Sequence, residues 1–308
     1  MKYLPVQVRR FAESLQANAQ TRNLPIDLLE KDVWITYILR ELRSLDESNH
    51  LAFKGGTCLV KSYLGYYRFS EDIDFTWFGP RIHRRDFRNK VLGAIVDVLA
   101  LEWDKQVSLG TGIAGSHSGG VFSYFLLSPS RDSANVKLKI TVAFDEKLAF
   151  APSLRKLGHV PIGDGIKRYL TLTFGDVATG YFDAGELWCY ALKEIACEKV
   201  RALLTRRTQP ARSRDLVDLY NIASGKDFEK VAPPDKVRSK LASALKIRAY
   251  KNEYAKITQN IERHLEQLVA ESTTDPVFLK SADSKDLDEF ARGLREYLEM
   301  EILTKVNT

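Results

Sequence analysis

The sequence predicts an α+β protein whose two parts differ in their hydrophobic pattern. Between about residues 50 and 175, short segments that alternate apolar and polar residues are interspersed with helical segments, which is typical of a mixed sheet with flanking helices. From Asp183 onward the apolar residues recur at the helical period, and glycines mark the transition. We therefore predict an α/β domain over residues 1–180 and a helical domain over residues 181–308.

The α/β part is predicted to begin with two helices, one over residues 5–22 and one from Pro25. The elements that follow are a strand at 50–53, a helix at 57–66, a strand at 70–78, a helix at 83–103, and strands at 121–127, 135–144 and 169–174. In the helical part, helices are predicted over 185–205, 212–223, 236–271 and 285–305.

Composition places the chain among soluble globular proteins. Its 308 residues are 44% hydrophobic and 28% charged, which suffices for a sizeable core. The sequence has no run of 18 apolar residues and no apolar signal core near Met1, so we expect a cytoplasmic protein without a membrane partner. The three cysteines and five histidines lack metal-ligand spacing, which argues against a zinc site.

Two carboxylates share one face of the strand predicted at 70–78. Because side chains alternate along a strand, Asp72 and Asp74 must point the same way, while Ile73 and Phe75 point to the opposite face. A carboxylate pair of this kind suits a hard divalent cation such as Mg²⁺. Without the surrounding motif, a solvated strand edge is the favoured interpretation of this pair.

The segment Lys54-Gly55-Gly56-Thr57 has the features of a phosphate-binding turn. Glycines adopt positive φ angles and let the backbone approach a ligand closely. A helix that opens at Thr57 offers unpaired N–H groups and the positive end of its dipole. By itself a Gly-Gly pair is more often an ordinary turn.

Basic residues cluster in two segments of a chain whose net charge is +6. Between Lys199 and Arg214 there are six basic residues and no acid, and between Arg81 and Lys90 five basic residues accompany only Asp86. Each cluster is either a solvated face or a surface for the phosphates of a nucleotide or a nucleic acid.

Four sequence matches, in order, resemble the signature of the AbiEii/AbiGii toxin family of nucleotidyltransferase-like proteins. They are Glu30-Lys31-Asp32; Gly55-Gly56-Thr57 with Arg68-Phe69-Ser70-Glu71-Asp72-Ile73-Asp74-Phe75; Glu198-Lys199-x-Arg201-Ala202-Leu203; and Arg214-Asp215-Leu216-Val217-Asp218-Leu219. The resemblance covers about residues 30–220. It implies a DNA polymerase β-like minimal nucleotidyltransferase core, with a helical C-terminal domain that contributes to the active-site cleft. It also implies the toxin of a toxin–antitoxin system, with a cognate antitoxin that is a protein or a transcriptional repressor.

The same resemblance places catalytic function on the Ser70–Asp74 strand, Lys199 and Asp215, and the chemistry of nucleotidyl transfer adds the remaining expected roles. Those expected to act in catalysis are Asp72, Asp74, Lys199 and Asp215, and those expected to bind the nucleotide are Lys54, Gly55, Gly56, Thr57, Arg68, Ser70, Lys199 and Arg214. The expected cofactor is Mg²⁺, one or two ions held by Asp72 and Asp74, with an NTP as substrate. Asp215 could be the general base for the incoming hydroxyl, or it could orient Lys199 and Arg214. A salt bridge between two helices is the structural alternative for the Lys199 and Asp215 pair.

One feature departs from a polymerase β-type core, which usually takes a third carboxylate from a neighbouring strand. The polar face of the strand predicted at 135–144 carries Lys137 and Lys139 instead. Asp145, at the end of that strand, is the nearby substitute.

Three functions are compatible with these residues. The leading hypothesis is a Mg²⁺-dependent enzyme that transfers a nucleoside monophosphate from an NTP to RNA, at the 3′ end of transfer RNA, and so blocks translation. The second keeps the same site but nucleotidylates or phosphorylates a protein or the chain itself, with Ser70 as a conceivable acceptor. The third is a non-catalytic module that binds RNA or a partner protein on a degenerate transferase fold.

Overall fold

The chain forms two compact units in the computed structural model, which describes residues 5–17, 24–104, 114–117, 121–128, 135–144, 146–206, 210–273, 278 and 283–306. The first unit comprises Met1–Lys147 and Pro152–Tyr190, and the second comprises Leu148–Ala151 and Ala191–Thr308. The domain boundary predicted between residues 180 and 181 lies earlier in the chain than this division.

Among the residues that the structure describes, the first unit is built on a mixed, eight-stranded sheet. Its strands are β1 Leu51–Lys54, β2 Asp72–Trp77, β3 Glu102–Trp103, β4 Ala114–His117, β5 Val121–Leu127, β6 Lys137–Ala143, β7 Ser153–Lys156 and β8 Glu186–Cys189. Their order across the sheet is β3-β5-β6-β2-β1-β8-β7, with β4 paired to β5. β2 is antiparallel to β1 and parallel to β6, so both of its edges are hydrogen-bonded and its register is set on both sides.

Helices in the first unit precede and connect these strands. They are α1 Pro5–Gln16, α2 Ile26–Arg43, α3 Gly55–Leu59, α4 Arg84–Asp86 and α5 Gly93–Leu99, followed by Asp164–Phe174 and Asp176–Phe182. π-helical segments extend α3 over Val60–Leu64 and join α4 to α5 over Phe87–Leu92, and a 3₁₀ helix at Asp46–His50 precedes β1. Residues of α2 between Leu29 and Leu42 are buried on nearly all sides, which makes α2 a core helix.

The strand predicted at 169–174 is wrong, because Tyr169–Phe174 forms the end of the helix Asp164–Phe174. Its alternating threonines and apolar residues favour a strand locally. The helix nevertheless has Asp164 in its first turn and is followed by Gly175, whose φ of +51° stops it. Local propensity is a weaker signal than these helix ends.

The helix predicted over 185–205 is also wrong in its first part. Glu186–Cys189 forms β8, which pairs with β1 and β7, and the helix begins only at Leu192. A four-residue strand buried among neighbours cannot be told from a helix end by its periodicity alone.

The second unit is helical. Its helices are Leu192–Thr205, Pro210–Ala223, Phe228–Val231, Pro234–Ala244, Arg248–Thr258, Ile261–Ser272, Ser284–Tyr297 and Thr304–Val306, with a π-helical segment at Leu298–Leu303. The single helix predicted over 236–271 is therefore three separate helices. Among the residues that the structure describes, no helix combines the length and the apolar character needed to cross a membrane.

The central strand β2 separates an apolar face from a polar one, as its alternation predicts. Ile73 and Phe75 are buried, and the Phe75 ring lies 5.3 Å from the ring of Phe53 on β1. Their burial anchors the strand in the core and leaves Asp72 and Asp74 on the opposite face.

Candidate active site

The carboxylate pair lies at the first residues of β2, in the middle of the sheet. Asp72 is exposed and Asp74 is half-buried. Burial raises the pKa of Asp74, and the negative charge of Asp72 raises it further. Two carboxylates that repel each other in this way would be stabilised by a divalent cation.

The glycine turn packs directly against this pair. Gly55 has a φ of +76°, which favours glycine, and a Cβ atom there would lie only 2.7 Å from Asp74 Oδ2. Lys54 precedes the turn and is the β1 residue opposite Asp74. The predicted phosphate-binding turn and the predicted metal-binding carboxylates thus lie next to each other.

The glycine turn is held in place by the side chains of Thr57, Arg68 and Ser70. Thr57 Oγ1 hydrogen-bonds Ser70 Oγ at 2.9 Å and the carbonyl oxygen of Asp72. A Cβ atom on Gly56 would overlap the Arg68 guanidinium, whose Nη1 donates to the carbonyl of Phe69 at 2.8 Å. Thr57 and Arg68 are buried, so their side chains hold the first turn of α3 against the start of β2.

Lys54 takes part in a polar cluster farther along the same face. Its ammonium forms an ion pair with Glu146 and lies 5.5 Å from the ring centre of Tyr190. Thr76 Oγ1 donates to Glu146 Oε2 at 2.8 Å and lies 2.5 Å from the Tyr190 hydroxyl. Glu146 was missed by the sequence reasoning, which named its neighbour Asp145; that residue lies outside the described residues.

The neighbouring strand β6 places no carboxylate beside the pair. Thr141 stands opposite Asp74 and hydrogen-bonds it, while Lys139 stands opposite Asp72 with its Nζ 3.8 Å from Oδ1. Within the described parts of the chain, no group of three or more His, Cys, Asp or Glu residues is arranged to hold a metal. Two carboxylates nevertheless fit Mg²⁺, which proteins usually hold by one or two carboxylates together with substrate phosphates and water.

The second unit contributes a separate cluster, centred on Lys199. Lys199 Nζ lies 2.9 Å from Asp215 Oδ1 and 2.5 Å from Asp218 Oδ2, and it joins the helices Leu192–Thr205 and Pro210–Ala223. The salt bridge that the sequence left open for Lys199 and Asp215 is therefore present. Asp218 was not among the predicted site residues, although its spacing of one turn from Asp215 was a usable signal. Arg214, next to Asp215, is half-exposed.

Residues 37–303 match the family described as nucleotidyl transferase AbiEii toxin, type IV toxin–antitoxin system. The chain belongs to the AbiEii family. Among solved structures it is similar to MenT4, a nucleotidyltransferase toxin from Mycobacterium tuberculosis H37Rv, with a TM-score of 0.51 and 19% identity over 96% of this chain and 90% of that chain. No curated protein matches the chain.

These findings confirm the family resemblance and the α+β nucleotidyltransferase fold. The chain is accordingly a nucleotidyltransferase toxin of a type IV toxin–antitoxin system, and such a toxin implies a cognate antitoxin. At 19% identity the likeness to MenT4 concerns the fold alone.

In the first motif of this AbiEii-family protein, Glu30-Lys31-Asp32, each charged side chain forms an ion pair with a different residue of the first unit. Glu30 accepts from Arg9 at 2.7 Å, and Lys31 donates to Glu71 at 2.8 Å. Asp32 forms a buried ion pair with Lys61. Glu71 directly precedes Asp72, so the Lys31 contact ties α2 to the start of the carboxylate strand.

The predicted functional residues of this toxin fall into two groups, one in each unit. Lys54 to Thr57, Arg68, Ser70, Asp72 and Asp74 are brought together in the first unit, and Lys199, Arg214 and Asp215 belong to the second. Of the two basic segments, the one from Lys199 is not a uniformly solvated face, because Lys199 is buried and Arg201 pairs with Glu198 at 2.7 Å.

Proposed function

We propose that this AbiEii-family toxin transfers a nucleoside monophosphate from an NTP to RNA, at the 3′ end of a transfer RNA, and thereby blocks translation. The observation that carries the proposal is the close packing of Gly55 against Asp74. A turn suited to phosphates and a carboxylate pair suited to a divalent cation stand side by side, as a metal-bound triphosphate requires.

Nucleotidyl transfer displaces pyrophosphate from the α-phosphate by in-line attack of a hydroxyl group. Asp72 and Asp74 would hold Mg²⁺, which when bound neutralises the charge that develops on the phosphate oxygens. The backbone N–H groups of Gly55, Gly56 and Thr57 would bind the β- and γ-phosphates, because Lys54 makes no capping hydrogen bond at the start of α3.

For the second unit we propose roles in the same reaction for Lys199, Arg214 and Asp215. Lys199 and Arg214 carry the positive charge that a triphosphate needs. Asp215 is the more exposed carboxylate of its cluster, with 13% of its side chain exposed against 0% for Asp218. It is therefore better suited than Asp218 to accept the proton of the attacking hydroxyl.

Exposed basic residues in the first unit support RNA as the acceptor. Arg81, Arg85 and Lys90 are exposed, and the described residues include no ion-pair partner for them. The Arg88 guanidinium, in the same basic segment, lies 4.5 Å from the ring centre of Trp103. Neutralisation of phosphates supplies most of the non-specific affinity for nucleic acid.

Incubation of the protein with labelled NTPs, Mg²⁺ and total RNA tests the proposal. We expect the parent to label RNA and an Asp72→Ala/Asp74→Ala variant to lose about 10³-fold or more of this activity, since it loses the metal ligands. Asp97→Ala, at an exposed carboxylate on α5, is the matched control and should label normally. Absence of labelled RNA with the parent, or undiminished labelling by the double variant, contradicts the proposed transfer.

A second candidate function keeps this site and changes the acceptor to a protein or to the chain itself. Ser70 favours it, because its half-buried hydroxyl lies two residues from Asp72 and against the glycine turn. Mass spectrometry after incubation with NTPs separates the two candidates. A nucleotide-sized or phosphate-sized adduct on protein, without labelled RNA, supports this second function.

A further inference from the structure

Lys139 occupies the place beside the carboxylate pair where a third carboxylate is expected. In the parallel pairing of β2 with β6, Asp72 is opposite Lys139 and Asp74 is opposite Thr141. Side chains at paired positions of neighbouring strands stand on the same face of a sheet. The groups next to the pair are thus an ammonium and a hydroxyl.

The Lys139 ammonium forms only a long, exposed ion pair with Asp72. Nζ and Oδ1 are 3.8 Å apart, and the two side chains are 42% and 53% exposed. An ion pair this exposed contributes little to stability, and the four-carbon stem of lysine lets the ammonium change partners. Lys139 can therefore turn to a phosphate that approaches the same face.

The other lysine beside the pair is engaged differently. Lys54 stands opposite Asp74 on β1, but its ammonium is paired with Glu146 and lies over the Tyr190 ring. Only a small part of the Lys54 side chain is exposed, whereas Lys139 is open to solvent. Of these two lysines, Lys139 is therefore the one whose ammonium can reach a ligand at Asp72.

We propose that this site takes one divalent cation and that Lys139 supplies the positive charge which a second ion provides at sites with three carboxylates. Three carboxylates and two divalent ions have a formal charge of plus one. Two carboxylates, one divalent ion and the Lys139 ammonium have the same charge. This role of Lys139 presupposes the nucleotidyl transfer proposed above.

The proposed role predicts effects of opposite sign on metal binding and on transfer. Before a nucleotide arrives, the ammonium repels a cation at Asp72 and weakens its binding. Once the triphosphate is present, the same ammonium binds phosphate oxygens and favours transfer. A lysine that only pairs with Asp72 would weaken metal binding in the same way but would not favour transfer, so the two effects together identify the proposed role.

Mn²⁺ binding to the full-length protein without nucleotide, followed by the electron paramagnetic resonance signal of free Mn²⁺, provides the test. We expect one Mn²⁺ per chain in the parent and none in Asp72→Ala/Asp74→Ala. Lys139→Gln should bind Mn²⁺ roughly 5- to 10-fold more tightly, because a nearby like charge is removed. In Lys139→Asp, which restores a third carboxylate, we expect a second Mn²⁺.

Lys137→Gln is the matched control, since Lys137 is an exposed residue two positions away on β6 and pairs with Leu127 rather than with β2. It should bind Mn²⁺ as the parent does. In the transfer assay Lys139→Gln should lower kcat about 10²-fold, as loss of one stabilising charge typically does.

The metal measurement needs neither nucleotide nor acceptor, so its failure is distinguishable from failure of the proposed function. A parent that binds one Mn²⁺ but labels no RNA contradicts the transfer function alone. A parent that binds no Mn²⁺ or two per chain overturns the role of Lys139. Unchanged Mn²⁺ affinity in Lys139→Gln overturns it even where the parent labels RNA.

Discussion

Two buried lysine–aspartate clusters, one in each unit, have similar components but different surroundings. Lys61 pairs with Asp32 in the first unit, and Lys199 pairs with Asp215 and Asp218 in the second. Both lysines lie within the family-matched part of the chain, and both are almost fully buried. The difference lies in whether each cluster reaches solvent.

The Lys61 cluster is closed and neutral. Lys61 Nζ contacts Asp32 Oδ1 at 2.8 Å, Thr36 Oγ1 at 2.8 Å and the Tyr66 hydroxyl at 2.5 Å. Asp32 also accepts from Tyr66 and, at 2.8 Å, from the Tyr181 hydroxyl. Burial lowers the pKa of Lys61, and the charge of Asp32 opposes that shift.

The Lys199 cluster reaches solvent at one of its carboxylates. The side chains are 7% exposed for Lys199, 13% for Asp215 and 0% for Asp218. Access through Asp215 allows an exchange of partners that the Lys61 cluster does not allow. Burial of a lysine–aspartate pair is therefore a poor sign of a functional site, whereas access to solvent distinguishes the two clusters.

The largest effect is expected at the closed cluster. Asp32→Ala leaves the Lys61 charge buried without its counter-ion, which typically costs about 3–5 kcal/mol of unfolding free energy. Urea denaturation followed by circular dichroism measures the loss. An Asp32→Leu/Lys61→Met variant removes both charges and should recover most of the stability. A loss below about 1 kcal/mol for Asp32→Ala would make the first cluster resemble an exposed ion pair instead.

The next effect concerns catalysis at the second cluster. Lys199→Met should lower kcat for nucleotide transfer about 10²- to 10³-fold, because it removes a charge proposed to stabilise the transferring phosphate. The assay is labelling of RNA per folded molecule, with the folded fraction determined by circular dichroism. Lys193→Met, at an exposed lysine of the same helix, should transfer normally. Equal activity in Lys199→Met and the parent would show that this cluster is only a structural salt bridge.

A smaller effect separates the two carboxylates of Lys199. Asp218→Asn should cost about 1–3 kcal/mol of stability, since a fully buried charged hydrogen bond is lost. Asp215→Asn, at a more accessible carboxylate, should cost less stability and should mainly lower kcat. Urea denaturation and transfer kinetics on both variants provide the comparison. The opposite pattern would exchange the anchoring and catalytic roles of these residues.

The smallest effect is a pH dependence where His264 packs against the helix that carries Lys199. His264 Nε2 lies 3.2 Å from the carbonyl of Leu203, and burial lowers the pKa of His264. Well above pH 6.5 histidine is neutral in both the folded and the unfolded state, but as the pH falls through 6.5 the unfolded state binds the proton first and stability decreases. Between pH 7.5 and 5.5, His264→Gln should lose about 1 kcal/mol less stability than the parent in urea denaturation. Identical losses would show that His264 does not titrate with unfolding.

Much of the first unit could be predicted from local patterns. The alternation along β2 separates Ile73 and Phe75 from Asp72 and Asp74. The structure has the same separation, because successive side chains of a strand point to opposite faces of the sheet. The conformational freedom of glycine indicated the turn at Gly55. Tyr169–Phe174 was mispredicted because its strand propensity is local, whereas the helix ends at Asp164 and Gly175 determine its structure.

The sequence by itself determined the family, the carboxylate pair and the glycine turn, because each depends on residues close together in the chain. Only the tertiary structure decided that Lys139 and Thr141 stand beside that pair, since strand order and register depend on pairing between residues 67 positions apart. It also decided that the Lys61 cluster is closed to solvent, whereas Asp215 of the Lys199 cluster is partly exposed. The partners of Lys61 and Lys199 are distant in sequence, and packing alone brings them together.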